Sequence, residues 1–257
     1  EGEDTYEEID WGSAFKIIAS KINGSDDPDE NVLYTSGRAS NEAAFLWGVL
    51  ARQIGTNNLP DCSNMCHESS GVALSESIGI EKGTVKLSCF EKADLILVIG
   101  QNPGTNHPRM LTALAACKEN GGSVVSINPL EETAMKRFKH PQNPLHLIGR
   151  GVQIADEHLP VRIGGDAALL QGFAKTILSQ GGADLDFISA NTLGFEDWKK
   201  HIESTDWEKI VEQSGISRDR IENTGNAIAK SERMIVCWAM GLTQHENSVA
   251  VIQEVSN

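Results

Sequence analysis

A continuous apolar segment constrains the fold more than any other feature of this sequence. Residues 93–99 read Ala-Asp-Leu-Ile-Leu-Val-Ile and run into Gly100-Gln101-Asn102-Pro103. Such near-continuous apolar strands are typical of parallel sheets that are covered on both faces. A helix is expected from Pro108 to Glu119, and residues 123–127 predict a second strand. Strand, helix and strand in this order predict a right-handed crossover in a parallel sheet.

The same alternation of strand, polar loop and helix recurs along the chain. Two more short strands are predicted, at residues 31–34 and 233–238, so the pattern occurs four times. Apolar residues at helical spacing predict further helices at residues 11–22, 41–54, 68–78, 167–178, 195–202, 207–213 and 218–229. Asp166 is expected to cap the helix that follows it, and Ser217 the last of these helices.

The expected fold class is therefore α/β, with parallel sheets flanked by helices in Rossmann-like lobes. Residues 1–165 would form one lobe, and residues 166–257 would belong to a second. The stretch 136–157 has a weaker pattern and predicts an irregular connection with one short strand.

The composition limits the partners and the compartment. The 36 acidic and 22 basic residues give a net charge of −14, which argues against nucleic acid as a partner. No run approaches the roughly 18 apolar residues of a spanning helix, and no basic segment followed by an apolar one marks a signal peptide. The five cysteines are odd in number and scattered, which favours a reducing cytoplasm over secretion. Because the chain starts without Met and stops inside an apparent helix, we expect it to be a piece of a longer protein.

The pair Cys66-His67 is the strongest candidate for chemistry. A thiolate beside an imidazole offers a soft metal ligand with a proton acceptor next to it. A cytosolic cysteine is, however, more often a small buried apolar residue. Cys62 lies four residues earlier, but no second Cys or His pair completes a zinc site.

Four polar loops follow the predicted strands and would meet at one edge of the sheet. They contain Ser36-Gly37-Arg38, Gly100-Gln101-Asn102-Pro103, Asn128-Pro129, and Met240-Gly241-Leu242-Thr243-Gln244. Small residues at such an edge let a pyrophosphate approach the backbone, and amide side chains can read the edges of a heterocycle. Each loop alone is also compatible with an ordinary turn. The conventional glycine-rich dinucleotide and P-loop motifs and the hydrolase elbow G-x-S-x-G are absent from the sequence.

Taken in order, these segments resemble the molybdopterin oxidoreductases of the dimethyl-sulfoxide-reductase superfamily. The resemblance also draws on His107-Pro108 and on a run from Ala155-Asp156 through Gly164-Gly165-Asp166 to Leu170, so it extends over nearly the whole chain. The Cys-His sequence makes the chain most similar to formate-dehydrogenase-like oxidoreductase alpha subunits of the YdeP type. The family fold would be the parallel, Rossmann-like arrangement expected above.

The resemblance implies a molybdenum or tungsten ion held by two molybdopterin guanine dinucleotides. Cys66 matches the metal ligand, and His67 matches the residue that accepts or relays the substrate proton. The matched cofactor-binding positions are Arg38, Gly100, Gln101, Asn102, His107, Asn128, Pro129, Gly164, Gly165, Asp166, Met240, Gly241, Thr243 and Gln244. Asp166 would receive the guanine edge.

The family also implies a small-molecule substrate, an electron-transfer partner and a [4Fe-4S] cluster in a segment outside this chain. The arginine that positions formate in formate dehydrogenases would follow the end of this sequence. A metal-free structural or electron-transfer scaffold on the same fold is the main alternative, and the retained Cys66-His67 pair argues against it. An unrelated nucleotide-binding module, the third interpretation, would be expected to carry a conventional glycine-rich motif.

Overall fold

The computed structural model describes residues 5–35, 39–60, 66–149 and 151–257. These residues form two compact units, Glu1–Cys66 and His67–Asn257. Arg38, one of the predicted cofactor-binding residues, lies outside the described residues. The predicted division after residue 165 stays a prediction; strands from both sides of that position share one sheet in the second unit.

The first unit contains two helices that the sequence predicts. Helix α1 spans Trp11–Asn23 behind Asp10, whose carboxylate accepts a 2.9 Å hydrogen bond from the Ser13 backbone N–H. A 3₁₀ turn covers Pro28–Glu30, and α2 spans Asn41–Ile54. The strand predicted at residues 31–34 is wrong: Val32 and Tyr34 are exposed, and among the described residues of this segment only Thr35, one position later, takes part in a β-bridge.

The second unit is built on a four-stranded parallel sheet in the order β3-β2-β1-β4. The strands are β1 Leu95–Ile99, β2 Ser123–Ile127, β3 Glu157–Leu159 and β4 Met234–Trp238. The structure therefore confirms the predicted α/β class and the predicted strands that become β1, β2 and β4. The short strand expected within residues 136–157 is not found there: β3 shares only Glu157 with that stretch, whose other described residues form just one isolated bridge, between Phe138 and Val152.

Thirteen helices of the second unit are described, among them every longer helix that the sequence predicts there. They are α3 Glu68–Ile78, α4 Leu87–Phe90, α5 Pro103–Asn106, α6 Pro108–Glu119, α7 Thr133–Lys136, α8 Pro144–Ile148, α9 Asp166–Ser179, α10 Leu185–Asn191, α11 Phe195–Ser204, α12 Trp207–Ser214, α13 Arg218–Lys230, α14 Met240–Thr243 and α15 Ser248–Ser256. Across the described ranges, no helix has both the length and the apolar character that crossing a membrane requires.

The prediction that Asp166 is a helix cap is wrong by one position. Gly165 is the N-cap of α9, and Asp166 is already its first helical residue. The N-terminal end of the α9 dipole attracts negative charge and so offsets part of the cost of burying the Asp166 carboxylate.

Alternating side chains of the strands bury two cores. Leu95, Leu97 and Ile99 point to one face of the sheet, where they pack with α3, α9, α13 and α15. Ile96 and Val98 point to the other face, where they pack with α6. Successive side chains of a strand face opposite sides, so a strand covered on both sides must be apolar throughout. This explains the continuous apolar run that dominates the sequence.

Candidate functional site

The four strands end level at one edge of the sheet. Ile99 pairs with both Ile127 and Trp238, and Ile127 pairs with Leu159, so the last residues of all four strands are aligned. The loops that begin at Gly100, Asn128, Pro160 and Ala239 therefore start from the same edge, as the sequence predicts for three of the loops it names.

This edge contains a topological switch point between β1 and β4. After β1 the chain enters α6 on one face of the sheet, whereas after β4 it continues to α15 on the opposite face. Because the two connections diverge, a ligand is expected outside the carboxyl ends of these strands, where α/β sheets bind their ligands. The topology thus assigns the candidate site to the loops that follow β1 and β4.

These two loops approach each other more closely than any side chain would allow. A Cβ added to Gly100 would lie 2.6 Å from the Gly241 Cα, and one added to Gly241 would lie 2.4 Å from the Gly100 Cα. The Gly241 N–H donates a 3.1 Å hydrogen bond to the Gly100 carbonyl, and Gly100 has a left-handed φ of 57°. Glycine is required at both positions, because the two backbones pack directly against each other.

Gln101, the second residue of the loop after β1, is a buried polar residue at this edge. Its Nε2 lies 3.2 Å from Nδ1 of His107, whereas its Oε1 has no hydrogen-bond partner within the described chain. Only 8% of Gln101 is exposed, so water cannot easily serve as that partner. Turning the amide over would make Nε2 the unsatisfied atom instead. In either assignment, one end of a buried amide lacks a protein partner, which is costly unless a ligand supplies one.

Glu132 organises the loops after β1 and β2, and sequence reasoning missed it. Its carboxylate accepts a 2.6 Å hydrogen bond from Asn102 Nδ2 and a 3.3 Å bond from Asn128 Nδ2. Asn102 also caps α5 by accepting from the Thr105 N–H at 3.1 Å. The amide groups of both predicted asparagines therefore already make hydrogen bonds within these loops. The only sequence signal was a Glu four residues after Asn128.

The first turn of α3 is tied to the end of β4 and the loop after it. Ser69 Oγ donates to the Thr243 carbonyl at 3.1 Å, and the Trp238 indole donates to Ser70 Oγ at 2.9 Å. His67, the N-cap of α3, has its Nδ1 3.4 Å from Ser70 Oγ. These contacts place His67 at the carboxyl end of β4. Cys66, bonded to His67, is half-buried and is the last residue of the first unit.

The segment before α9 contributes a buried carboxylate. Burial raises the pKa of Asp166, and the nearby charge of His245 and the Asp166 backbone N–H partly offset that rise. A Cβ at Gly165 would lie 2.5 Å from the Gln213 carbonyl, so this glycine serves close packing, while Gly164 with φ of 81° has open space around it. Six of the predicted site residues are exposed at the surface: His67, His107, Pro129, Gly164, Met240 and Gln244.

A cavity of about 290 Å³ lies on the sheet face beneath the loop after β2. Its charged lining is already paired: Glu131 binds Lys136 at 2.6 Å, and Asp156 binds Lys118 at 2.5 Å. Burial lowers the pKa of His158, which favours its neutral form. None of the predicted catalytic or cofactor-binding residues lines this cavity.

Comparisons with known proteins match the whole chain. The sequence model of the family described as molybdopterin oxidoreductase matches residues 1–257. The chain is 46% identical to the uncharacterized oxidoreductase Rv2900c of Mycobacterium tuberculosis, covering 100% of the chain and 34% of that protein. It is 43% identical to protein YdeP of Escherichia coli K12 (99% and 35% covered) and 26% identical to formate dehydrogenase H of that organism (98% and 33%).

A solved structure has the same fold. Acetylene hydratase from Pelobacter acetylenicus superimposes with a TM-score of 0.67 at 20% identity, covering 99% of this chain and 33% of that one. The chain thus spans about a third of the length of the proteins that it matches.

Proposed function

The chain belongs to the molybdopterin oxidoreductase family, and we propose that, within a longer protein, it forms part of the site for molybdenum or tungsten carried by two molybdopterin guanine dinucleotides. The observation that carries the proposal is the contact of Gly100 with Gly241 at the switch point between β1 and β4. Two backbones without side chains meet there, at the edge where α/β sheets bind dinucleotides.

The residues at this edge fit such a cofactor. The unsatisfied end of the buried Gln101 amide would find a hydrogen-bonding partner on a pterin, whose ring edge carries both donors and acceptors. Gly100 and Gly241 let the loops after β1 and β4 pack backbone against backbone, which would bring both loops to the same ligand. The hydrogen bonds of Glu132 with Asn102 and Asn128 would fix the conformation of the flanking loops. Only some of the polar atoms of these residues would then be left to bind the ligand.

The remaining positions follow from the family resemblance. Arg38, His107, Pro129, Thr243 and Gln244 would help to hold the cofactor. So would Met240 and the turn Gly164-Gly165-Asp166. Asp166 is buried with a raised pKa, and we propose that it pairs with N–H groups of a guanine.

Cys66 is proposed as the protein ligand to the metal. A thiolate is a soft ligand that suits a metal cycling between oxidation states, and binding would keep the sulfur deprotonated. When bound, the cofactor supplies a metal that takes up or gives two electrons. His67, bonded to Cys66, would accept the substrate proton, because the reference pKa of imidazole lies near neutrality.

We propose a small-molecule substrate oxidised or reduced by two electrons, in the manner of formate dehydrogenases. The name of formate dehydrogenase H, at 26% identity, supports formate as the first substrate to test. A [4Fe-4S] cluster elsewhere in the longer protein and a separate electron partner would carry the electrons away. We place this chemistry in the cytoplasm.

Replacing Cys66 tests the proposal against a metal-free scaffold. In the full-length protein matured with molybdate or tungstate, Cys66→Ala is expected to abolish turnover and to weaken metal retention, while Cys89→Ala changes neither. Cys89 is a fair control because it is also half-buried but precedes β1, whereas the candidate loops follow the carboxyl ends of the strands. Equal activity in the two variants would show that Cys66 is not the ligand.

Replacing His67 tests its separate role. His67→Gln keeps a hydrogen-bonding side chain but cannot take a proton, so kcat is expected to fall about 10²- to 10⁴-fold, the usual contribution of general acid–base catalysis. Metal content should stay at the wild-type level. A loss of metal together with turnover would assign His67 to binding instead.

A further inference from the structure

We propose that Ser70 is a positioning residue for His67, and that the indole N–H of Trp238 holds Ser70 in place. This inference rests on the proposed function, in which His67 handles the substrate proton. Ser70 lies three residues after His67, so the two side chains share one face of the first turn of α3.

The hydrogen bonds run from the sheet to the histidine. The Trp238 Nε1–H donates to Ser70 Oγ at 2.9 Å, and the same oxygen lies 3.4 Å from His67 Nδ1. Ser70 is 7% exposed, whereas His67 is exposed, so the contact joins a buried group to a surface imidazole. At 3.4 Å the contact is long, and contacts of this kind commonly tighten when substrate binds.

The chemistry of the three groups fixes which of them donates and which accepts in these hydrogen bonds. An indole N–H can only donate, so Ser70 Oγ must be the acceptor from Trp238. The hydroxyl keeps a hydrogen and a second lone pair, and the other contact recorded for Oγ in the described residues is His67 Nδ1. Since a hydroxyl both donates and accepts, it can hold Nδ1 whichever nitrogen of the ring carries the hydrogen.

Trp238, from which these hydrogen bonds start, is held firmly in the sheet. It is the last residue of β4, pairs with Ile99 of β1 and packs against the apolar core. The Ser69 bond to the Thr243 carbonyl ties the same turn of α3 to the loop after β4. These contacts fix the orientation of the His67 ring relative to the edge of the sheet. A partner on one ring nitrogen decides where the other nitrogen points, which matters for a residue that transfers protons.

Nuclear magnetic resonance of the full-length protein without cofactor tests the contact directly. Histidine ring nitrogens and tryptophan indoles are labelled with ¹⁵N, and the signals of His67 and Trp238 are assigned by their loss in His67→Gln and Trp238→Phe. Ser70→Ala is expected to shift both signals, and Ser70→Thr to restore the His67 signal. Trp238→Phe gives a second route, because it should shift the His67 signal while leaving the hydroxyl in place.

Two matched controls separate positioning from general damage. Ser75→Ala removes an exposed hydroxyl from the same helix, and Trp198→Phe removes an indole that donates to Glu254. Neither should move the His67 signal. If His67 is as unaffected by Ser70→Ala and by Trp238→Phe as by the controls, the proposal is overturned.

The loaded enzyme provides the second readout. Ser70→Ala should lower kcat about 10- to 100-fold, the range for losing an outer partner, with KM nearly unchanged and metal content intact. In a His67→Gln background the same change should have no further effect; an equal loss there would refute action through His67. A full-length protein that shows the expected NMR shifts but binds no metal would instead refute the proposed function alone.

Discussion

Replacing Gly241 by alanine tests the close meeting of the loops after β1 and β4. The new Cβ would lie 2.4 Å from the Gly100 Cα and 2.9 Å from the Gly100 carbonyl oxygen. Both neighbours are backbone atoms, so no flexible side chain can swing away, and one of the two loops must move. Gly241 is not among the glycines with positive φ, so the cost is almost wholly steric.

The expected loss of local stability is about 1–3 kcal/mol, as for overpacking in well-packed interiors. Gly100→Ala should cost about 1–2 kcal/mol more, because Gly100 also has a left-handed φ of 57°. Gly121→Ala is the matched control: Gly121 has a φ of 88°, but apart from its chain neighbours no described atom lies within 4 Å of its added Cβ. It should show the backbone strain alone.

Hydrogen–deuterium exchange of the full-length protein without cofactor measures this loss where it occurs. Its reporters are the Gly241 N–H, bonded to the Gly100 carbonyl, and the Gly100 N–H, bonded to the Ile127 carbonyl. A loss of about 1–3 kcal/mol corresponds to exchange about 5- to 150-fold faster at these amides. Wild-type exchange at both loops in Gly241→Ala would refute the contact and the fit argument built on it.

Three further outcomes follow from the described contacts. Burial raises the pKa of Asp166 above its unfolded value near 3.8. The stability that this shift contributes is fully present below the unfolded pKa and is lost as pH rises through the folded pKa. Asp166→Asn, which cannot ionise, should therefore raise the melting temperature at pH 7 but hardly at pH 3. Glu132→Ala removes the acceptor shared by Asn102 and Asn128, so exchange should quicken at both loops and cofactor retention should fall, whereas wild-type exchange would contradict that role. Lys175→Met removes an ammonium that donates to three carbonyls at the end of α11, which should cost about 1–3 kcal/mol in urea unfolding, and an unchanged midpoint would refute the capping.

The sequence predicts the sheet well because its signal is local. Residues 95–99 are buried on both faces, and such a strand leaves an uninterrupted apolar run. The helices Pro108–Glu119 and Glu68–Ile78 are also found at their predicted bounds. The failed strand at residues 31–34 shows the limit of the same signal, since a strand also needs a neighbour that short runs cannot reveal.

The candidate site is less predictable because its contacts join distant parts of the chain. Glu132 receives Asn102 across 30 residues, and Trp238 reaches Ser70 across 168. No periodicity encodes such pairs; they arise only when parallel strands bring their carboxyl ends level. The sequence identified Gly100 and Gly241 separately, each from its own loop. Their contact became evident only with the strand order, which places β1 beside β4.

The central claim is that this chain helps to hold a metal–pterin cofactor. The most direct test is to measure metal and pterin in the full-length protein, expressed with molybdate or tungstate and fully matured. The account predicts about one metal ion per chain, with two pterin guanine dinucleotides released on denaturation. A matured, folded protein without stoichiometric metal and pterin would contradict it.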